Sequence, residues 1–233
     1  MIMPSTLASR LAMAIAADVP VECGDGQPAI DADAVRLDAL LGGNAGASGW
    51  RIWTNSRCLV TTRRFAAMPR FTDAALESAC RGWPVFVRPS GGTTVAHRPG
   101  MLNASHFQSW RGDGDDAIRR FRIFCEPFAA SICSVGISVC LGHVDRSHCD
   151  GRFNLVSGGR KLAGTASLVR CKGGYVGLLC HASIWVEGDI AADVRAVERF
   201  EAALELDTSY SENVHATLEQ HFMASFADAD IIS

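Results

Sequence analysis

Two short blocks hold the side chains best suited to chemistry. One is Cys149–Ala166, CDGRFNLVSGGRKLAGTA, which contains Lys161. The chain has two lysines, Lys161 and Lys172, against twenty arginines. A lysine kept beside a glycine turn, twelve positions after Cys149, is either a residue of codon chance or a compact point charge able to meet an acyl or phosphoryl oxygen, where a forked guanidinium fits less well. The other block is Arg88–Asn103, RPSGGTTVAHRPGMLN. It has neither the GxxxxGK[ST] spacing of a phosphate loop nor a GxGxxG fingerprint. Ser90, Gly91 and Gly92 can still turn backbone N–H groups towards an anion. Arg88 is placed to clamp a phosphate or carboxylate, and His97 to hydrogen-bond across the loop.

These blocks need elements to hold them. Gly158-Gly159 between two short runs signals a two-residue hairpin, since such turns need positive φ. With Val156 opposite Lys161, one face collects Phe153, Leu155 and Leu162 as core. The other collects Asn154, Val156, Lys161 and Ala163, and is either a plain solvent face or a surface on which a ligand chain can lie. Pro84–Arg88 reads as a strand running into the glycine loop; Trp50–Thr54, Cys58–Thr62 and Ile137–Leu141 also read as strands. Helices are expected over Ser5–Ala17, Asp31–Leu41, Asp115–Val135 (kinked at Pro127), Ala191–Leu206 and Ser211–Phe226. In the third of these, Ile118, Phe121, Cys125, Phe128, Ile132 and Val135 form the apolar stripe. The implied class is α+β, with a mixed, mostly antiparallel sheet and flanking helices.

Composition narrows the alternatives. Hydrophobic content of 48% with 20% charged residues suits a packed core. A net charge of -3 gives no general attraction to nucleic acid or anionic membrane. No apolar run approaches the ~20 residues of a membrane span. Nine scattered cysteines without CxxC pairing suggest free thiols and a cytoplasmic setting. His143, His148 and Cys149, with Asp145 and Asp150, form a cluster that matches no standard zinc spacing, so no metal is expected. Cys180 and His181, adjacent on a probable strand, should point to opposite faces.

Together the blocks resemble the lipoate–protein ligase A family of the biotin/lipoate ligase superfamily. RPSGGTTVAHRPGMLN is similar to that family's R-x-SGG loop, GRFNLVSGGRKLAGTA to its lysine hairpin, and Val35–Leu41 to its early helix. The resemblance covers about residues 35–226. It implies a ligase-like catalytic domain over 31–233, with a helical extension over 1–30; in a departure from many ATP-using ligases, no separate C-terminal accessory domain is expected. It also implies attachment of a lipoyl or octanoyl group to a carrier lysine. By position, Lys161 would hold the acyl carbonyl, and Ser90, Gly91 and Gly92 would enclose the acyl group or adenylate. Asn154 stands where ligases often have Asp. Gly164, Thr165 and Ala166 match residues beside the nucleotide. In the strand containing Cys180 and His181, small Ala182 would matter for acyl fit.

Thr93 departs from the family's third loop glycine. SHCDGRFNL resembles the amidotransferase branch, which passes acyl groups through a cysteine thioester. Transfer through Cys149 is therefore favoured, with Lys161 lowering the thiol pKa. The alternatives are ATP- and magnesium-dependent ligation through an acyl adenylate, and a non-catalytic lipoyl-domain-binding module. Implied substrates are lipoate or octanoate. Implied partners are lipoyl-domain proteins (2-oxoacid dehydrogenase subunits or glycine cleavage H protein) or acyl carrier protein.

Overall fold

The computed structural model describes residues 6–43, 47–112 and 117–229. Expected element positions at Ser5, Asp115 and Asp116 lie outside these. Two sheets organise the chain. The larger has the order β1-β2-β6-β10-β9-β8-β7, built from Val21–Cys23, Ser48–Thr54, Met101–Arg111, Tyr175–Trp185, Arg160–Lys172, Asn154–Ser157 and Cys140–Gly142 respectively. Every pairing in it is antiparallel except β1 with β2. The smaller sheet, β4-β3-β5, is formed by Val85–Arg88, Cys58–Thr62 and Val95–His97. This is the expected α+β class.

Period-two alternation on β10 sorts its side chains between two layers. Ala182 and Ile184 join Leu102 and Ile52 in a core closed by Leu11 of α1 (Thr6–Ile15) and by Phe128 and Ile132 of α5 (Ala117–Ser134). Leu178 and Cys180 pack against Phe124 and Cys125 of α5 on the same side. The opposite layer holds α2 (Gly26–Gly43), whose Leu37 packs on Leu179 and Phe107. Ala29 and Ile30 of α2 also touch Val60 of the small sheet. The two sheets therefore face each other across α2. The outer side of the small sheet is covered by α3 (Arg63–Ala66), α4 (Phe71–Cys80) and α6 (Ile190–Ala203), through Leu59, Phe65, Ala74, Ala196 and Phe200. Among the described residues no helix is long and apolar enough to cross a membrane.

Several local expectations change. In the N-terminal segment, α1 buries Ala8, Leu11 and Ala12 in the main core, and a short strand, β1, joins the large sheet beside β2. α2 begins at Gly26, ahead of the acidic residues read as its start. α5 continues through Pro127, and Ile118 at its start is exposed instead of joining the apolar stripe. The last expected helix is divided: a 3-10 turn at Glu212–Val214, an extended stretch, then α7 (Leu218–Ala229). Thr217 explains the late start. Its Oγ1 accepts from Gln220 N–H while its own N–H donates to Gln220 Oε1, a reciprocal cap that fixes the helix N-terminus. Residues 137–139 are not strand, leaving β7 as Cys140–Gly142.

Candidate functional site

The lysine hairpin forms on Gly158 and Gly159, both at positive φ, with Ser157 opposite Arg160 and Val156 opposite Lys161. The expected register then breaks. A bulge shifts Leu155 to face Ala163 instead of Leu162. An inserted residue leaves two neighbours pointing to one side. Leu162 and Ala163 thus both enter the core, while Lys161 and Gly164, three apart, both line a cavity. Ala163 does not share the face of Lys161. Asn154 is fully buried but does not line the cavity, and its amide has no hydrogen-bond partner among the described residues.

The cavity lies between the two sheets and encloses about 670 Å³ including its open mouth. Leu179, His181, Ser183 and Trp185, alternate residues of β10, form one wall. Val60 and Val95 of the small sheet lie on the facing side, and Met101, Ile30 and Trp53 add further apolar surface. Of the residues singled out in the sequence, Arg88, Ser90, His97, Cys149, Lys161, Gly164, Thr165 and Ala166 are brought together here. Ala182 is not among the lining residues; it faces the helical core. Cys180 and His181 separate as alternation requires, one into the core and one to the cavity.

Cys149 sits in a left-handed backbone conformation, φ 51°. Such a conformation costs a non-glycine residue roughly 1–2 kcal/mol and persists only where the surroundings enforce it. Here Lys161 reaches under the loop. Its Nζ donates to the carbonyls of His148 at 2.5 Å and Cys149 at 2.7 Å. From the other side, the Cys149 N–H donates to Thr93 Oγ1 at 3.1 Å. The sulfur receives Thr93 N–H at 3.5 Å and lies 4.0 Å from Arg88 Nη2. Arg88 is itself buried and pinned to the carbonyls of Val60, Gly91 and Thr93. Burial pushes the Cys149 thiol pKa up, but Arg88, Lys161 and the Thr93 hydrogen bonds outweigh it and hold the thiol below its ordinary value. Burial lowers Lys161 to about 8, against the opposing pull of Cys149 and Asp150.

Gly92 backs the sulfur. It has φ 101°, and a Cβ there would stand 2.7 Å from Cys149 Sγ and 2.9 Å from Arg88 Nη2. Gly92→Ala is expected to lower stability by roughly 1–3 kcal/mol, read from the denaturation midpoint. Gly91 has open space at its Cβ position and no such constraint.

A second polar group entered the cavity without a motif to announce it. Ser90 Oγ lies 2.9 Å from His181 Nε2, and His181 Nδ1 lies 4.0 Å from Asp33 Oδ2. Asp33 is anchored by Arg51 at 2.8 Å and Ser105 at 2.7 Å. A proton on Nδ1, facing that carboxylate, leaves Nε2 to accept from Ser90 O–H. Burial and the nearby Arg88 lower His181 to about 3, so the ring is neutral. His97 is neutral for the same two reasons, with His181 adding to them. The alternation of LLCHASIW gave the face of His181, but only the fold shows that α2 sets Asp33 opposite it.

The cluster considered for metal disperses. His143 is surface-facing and pairs with Asp145 and Asp150, while His148 is buried, stacked on His215 and edge-on to Trp185. Among the described residues no group of three or more His, Cys, Asp or Glu side chains is placed to hold a metal ion.

Residues 37–228 match the family model of the lipoyl protein ligase A/B catalytic domain. The chain is 35% identical over 176 residues to an octanoyl-[GcvH]:protein N-octanoyltransferase of Kyrpidia tusciae, a match covering 70% of this chain and 59% of that protein's length. Its fold is similar to that of a T. acidophilum protein solved with lipoic acid bound (TM-score 0.59, 18% identity, covering 80% of this chain and 82% of the other). It is also similar to a lipoate-protein ligase A bound with ATP (TM-score 0.60, 16% identity, covering 89% and 92%). The match over most of its length, on a fold that joins the glycine loop, Cys149 and the lysine hairpin at one cavity, places this chain in the lipoyl protein ligase A/B catalytic-domain family.

Proposed function

We propose that the chain is an acyltransferase that moves an octanoyl or lipoyl group between carrier-protein lysines through a thioester on Cys149. The observation that carries this reading is the convergence of Arg88, the Thr93 N–H and Lys161 on one strained cysteine at the wall of a largely apolar cavity. The names of the relatives, which describe octanoyl transfer from GcvH to a protein, point the same way.

The residues divide the work simply. The Cys149 thiolate attacks the donor carbonyl, forming a C–S bond as the C–N bond of the donor amide breaks. Lys161, with a pKa of about 8, is poised to give the departing amine its proton. Two of its donors hold the loop carbonyls, and the third N–H is the proton it gives. The amine of the second carrier then attacks the thioester. Its proton passes to the Lys161 amine, and the leaving thiolate is again stabilised by Arg88 and Thr93. One amide is exchanged for another, so the route needs no nucleotide. The acyl chain lies against Leu179, Trp53, Val60 and Ile30.

Mass spectrometry of the protein incubated with an octanoylated lipoyl-domain carrier, without ATP, tests this directly. The expected product is an octanoyl adduct on Cys149 that hydroxylamine removes. Carrier acylation that strictly requires ATP and leaves Cys149 unmodified would instead establish the ligase route. Carrier binding with no acyl movement from any donor would establish a binding module.

A further inference from the structure

We infer that Thr93 is a positioning residue for Cys149: its side chain holds the cysteine backbone in the left-handed conformation and so keeps the sulfur against the loop amide and Arg88. The inference rests on Cys149 being the nucleophile.

The contact between Thr93 and Cys149 runs in both directions. Thr93 N–H donates to Cys149 Sγ, and Cys149 N–H donates to Thr93 Oγ1. The two bonds close a ring between residues 56 positions apart. Only the second depends on the Thr93 side chain. A glycine here, as in the resembling ligase loops, keeps the first bond and loses the second. Aspartate would supply an acceptor but place a negative charge beside the thiolate.

Thr93 is also fixed at both ends. Its carbonyl accepts from Arg88 Nη2 at 2.6 Å. The next N–H, of Thr94, donates to the buried Glu201 Oε1 at 3.2 Å, and Thr94 Oγ1 meets Thr61 Oγ1 at 3.1 Å. Glu201 in turn accepts from Tyr210 O–H at 2.6 Å. The small sheet and α6 therefore hold Thr93 as a rigid support against which the cysteine loop is pressed. Lys161 supports that loop from the opposite side through the carbonyls of His148 and Cys149. Rotation of Cys149 back to negative φ would break the bond to Thr93 Oγ1 and move the sulfur away from its donors.

The test is the pH profile of Cys149 alkylation by iodoacetamide in the full chain, using Thr93→Val, Thr93→Ser and Thr93→Gly, with the other cysteines quantified separately by peptide mapping. The charged groups facing the sulfur are Arg88 from β4 and Lys161 from β9, and none of these variants alters either. Thr93→Val is expected to move the profile to higher pH and slow alkylation at neutral pH about tenfold. Thr93→Gly should behave the same way, and Thr93→Ser should restore the wild-type curve. If Thr93→Val does not fold, the contrast between shifted Thr93→Gly and unshifted Thr93→Ser supports the inference equally. An unchanged profile in the folded Val or Gly variant overturns it, as does a Ser variant shifted as far as Val. Alkylation needs no acyl donor, so retention of acyl transfer by a cysteine-free site would sink the thioester reading while these profiles still decide the role of Thr93.

Discussion

Cys149→Ser is expected to abolish acyl transfer, lowering turnover by at least about 10³-fold while leaving the fold intact. The substitution conserves shape, and the backbone N–H that bonds Thr93 is unaffected. What it removes is an ionisable sulfur. Arg88, Lys161 and the Thr93 N–H favour an anion at this position, and a thiol beside them ionises where a hydroxyl does not. The decisive comparison is turnover with an octanoylated carrier, together with loss of the covalent adduct. A serine variant retaining more than a tenth of wild-type turnover would falsify the thioester route. Cys58, Cys125 and Cys180 serve as internal contrasts. Burial pushes Cys58 and Cys125 up to about 12 and Cys180 higher still, so these thiols should resist alkylation at neutral pH.

Lys161→Met should cost a further large factor, about 10²–10³-fold, and do so in two separable ways. Removing the ammonium withdraws one of the charges that lower the Cys149 pKa, so thiol alkylation moves to higher pH. It also removes the donor to the His148 and Cys149 carbonyls, which hold the strained turn. Lys161→Arg should not rescue the activity. Lys161 is fully buried with its amine set between the carbonyls of His148 and Cys149, a point-charge geometry that a planar fork does not reproduce, and a guanidinium does not trade protons near neutrality. The wild-type pH profile carries the same information. On the proposed route, transfer should rise with pH as Cys149 ionises, below an ordinary thiol's range, and fall as Lys161 loses its proton at about 8. In Lys161→Met the falling limb should disappear. A falling limb that persists unchanged in that variant would assign it to another group.

The sequence carried the strictly local features of this site. Paired glycines imposed the hairpin turn and the pairing of Val156 with Lys161, because a two-residue turn constrains its immediate neighbours. Alternation separated Cys180 from His181. The scarcity of lysine marked Lys161, and the likeness of SHCDGRFNL to the amidotransferase branch marked Cys149. The bulge at Leu155 and Val156 was not legible, since nothing in NLVSGGRKLAG distinguishes a regular ladder from one with an extra residue; the choice is made by burial of both Leu162 and Ala163 against the helical core.

The encounter of the two blocks was likewise decided only in three dimensions. Arg88 and Thr93 flank one end of the small sheet, and Cys149 precedes a strand of the large one. They meet because both sheets pack around α2, a contact of long sequence separation that no local periodicity encodes. The same packing sets Asp33 opposite His181 and gives Thr93, which the sequence showed only as a departure from glycine, its hydrogen bonds to the cysteine. Residue types determined which chemistry was available to this chain. Tertiary packing determined which of nine cysteines acquired a charged, strained and donor-rich environment, because pKa and backbone strain depend on neighbours in space and not along the chain.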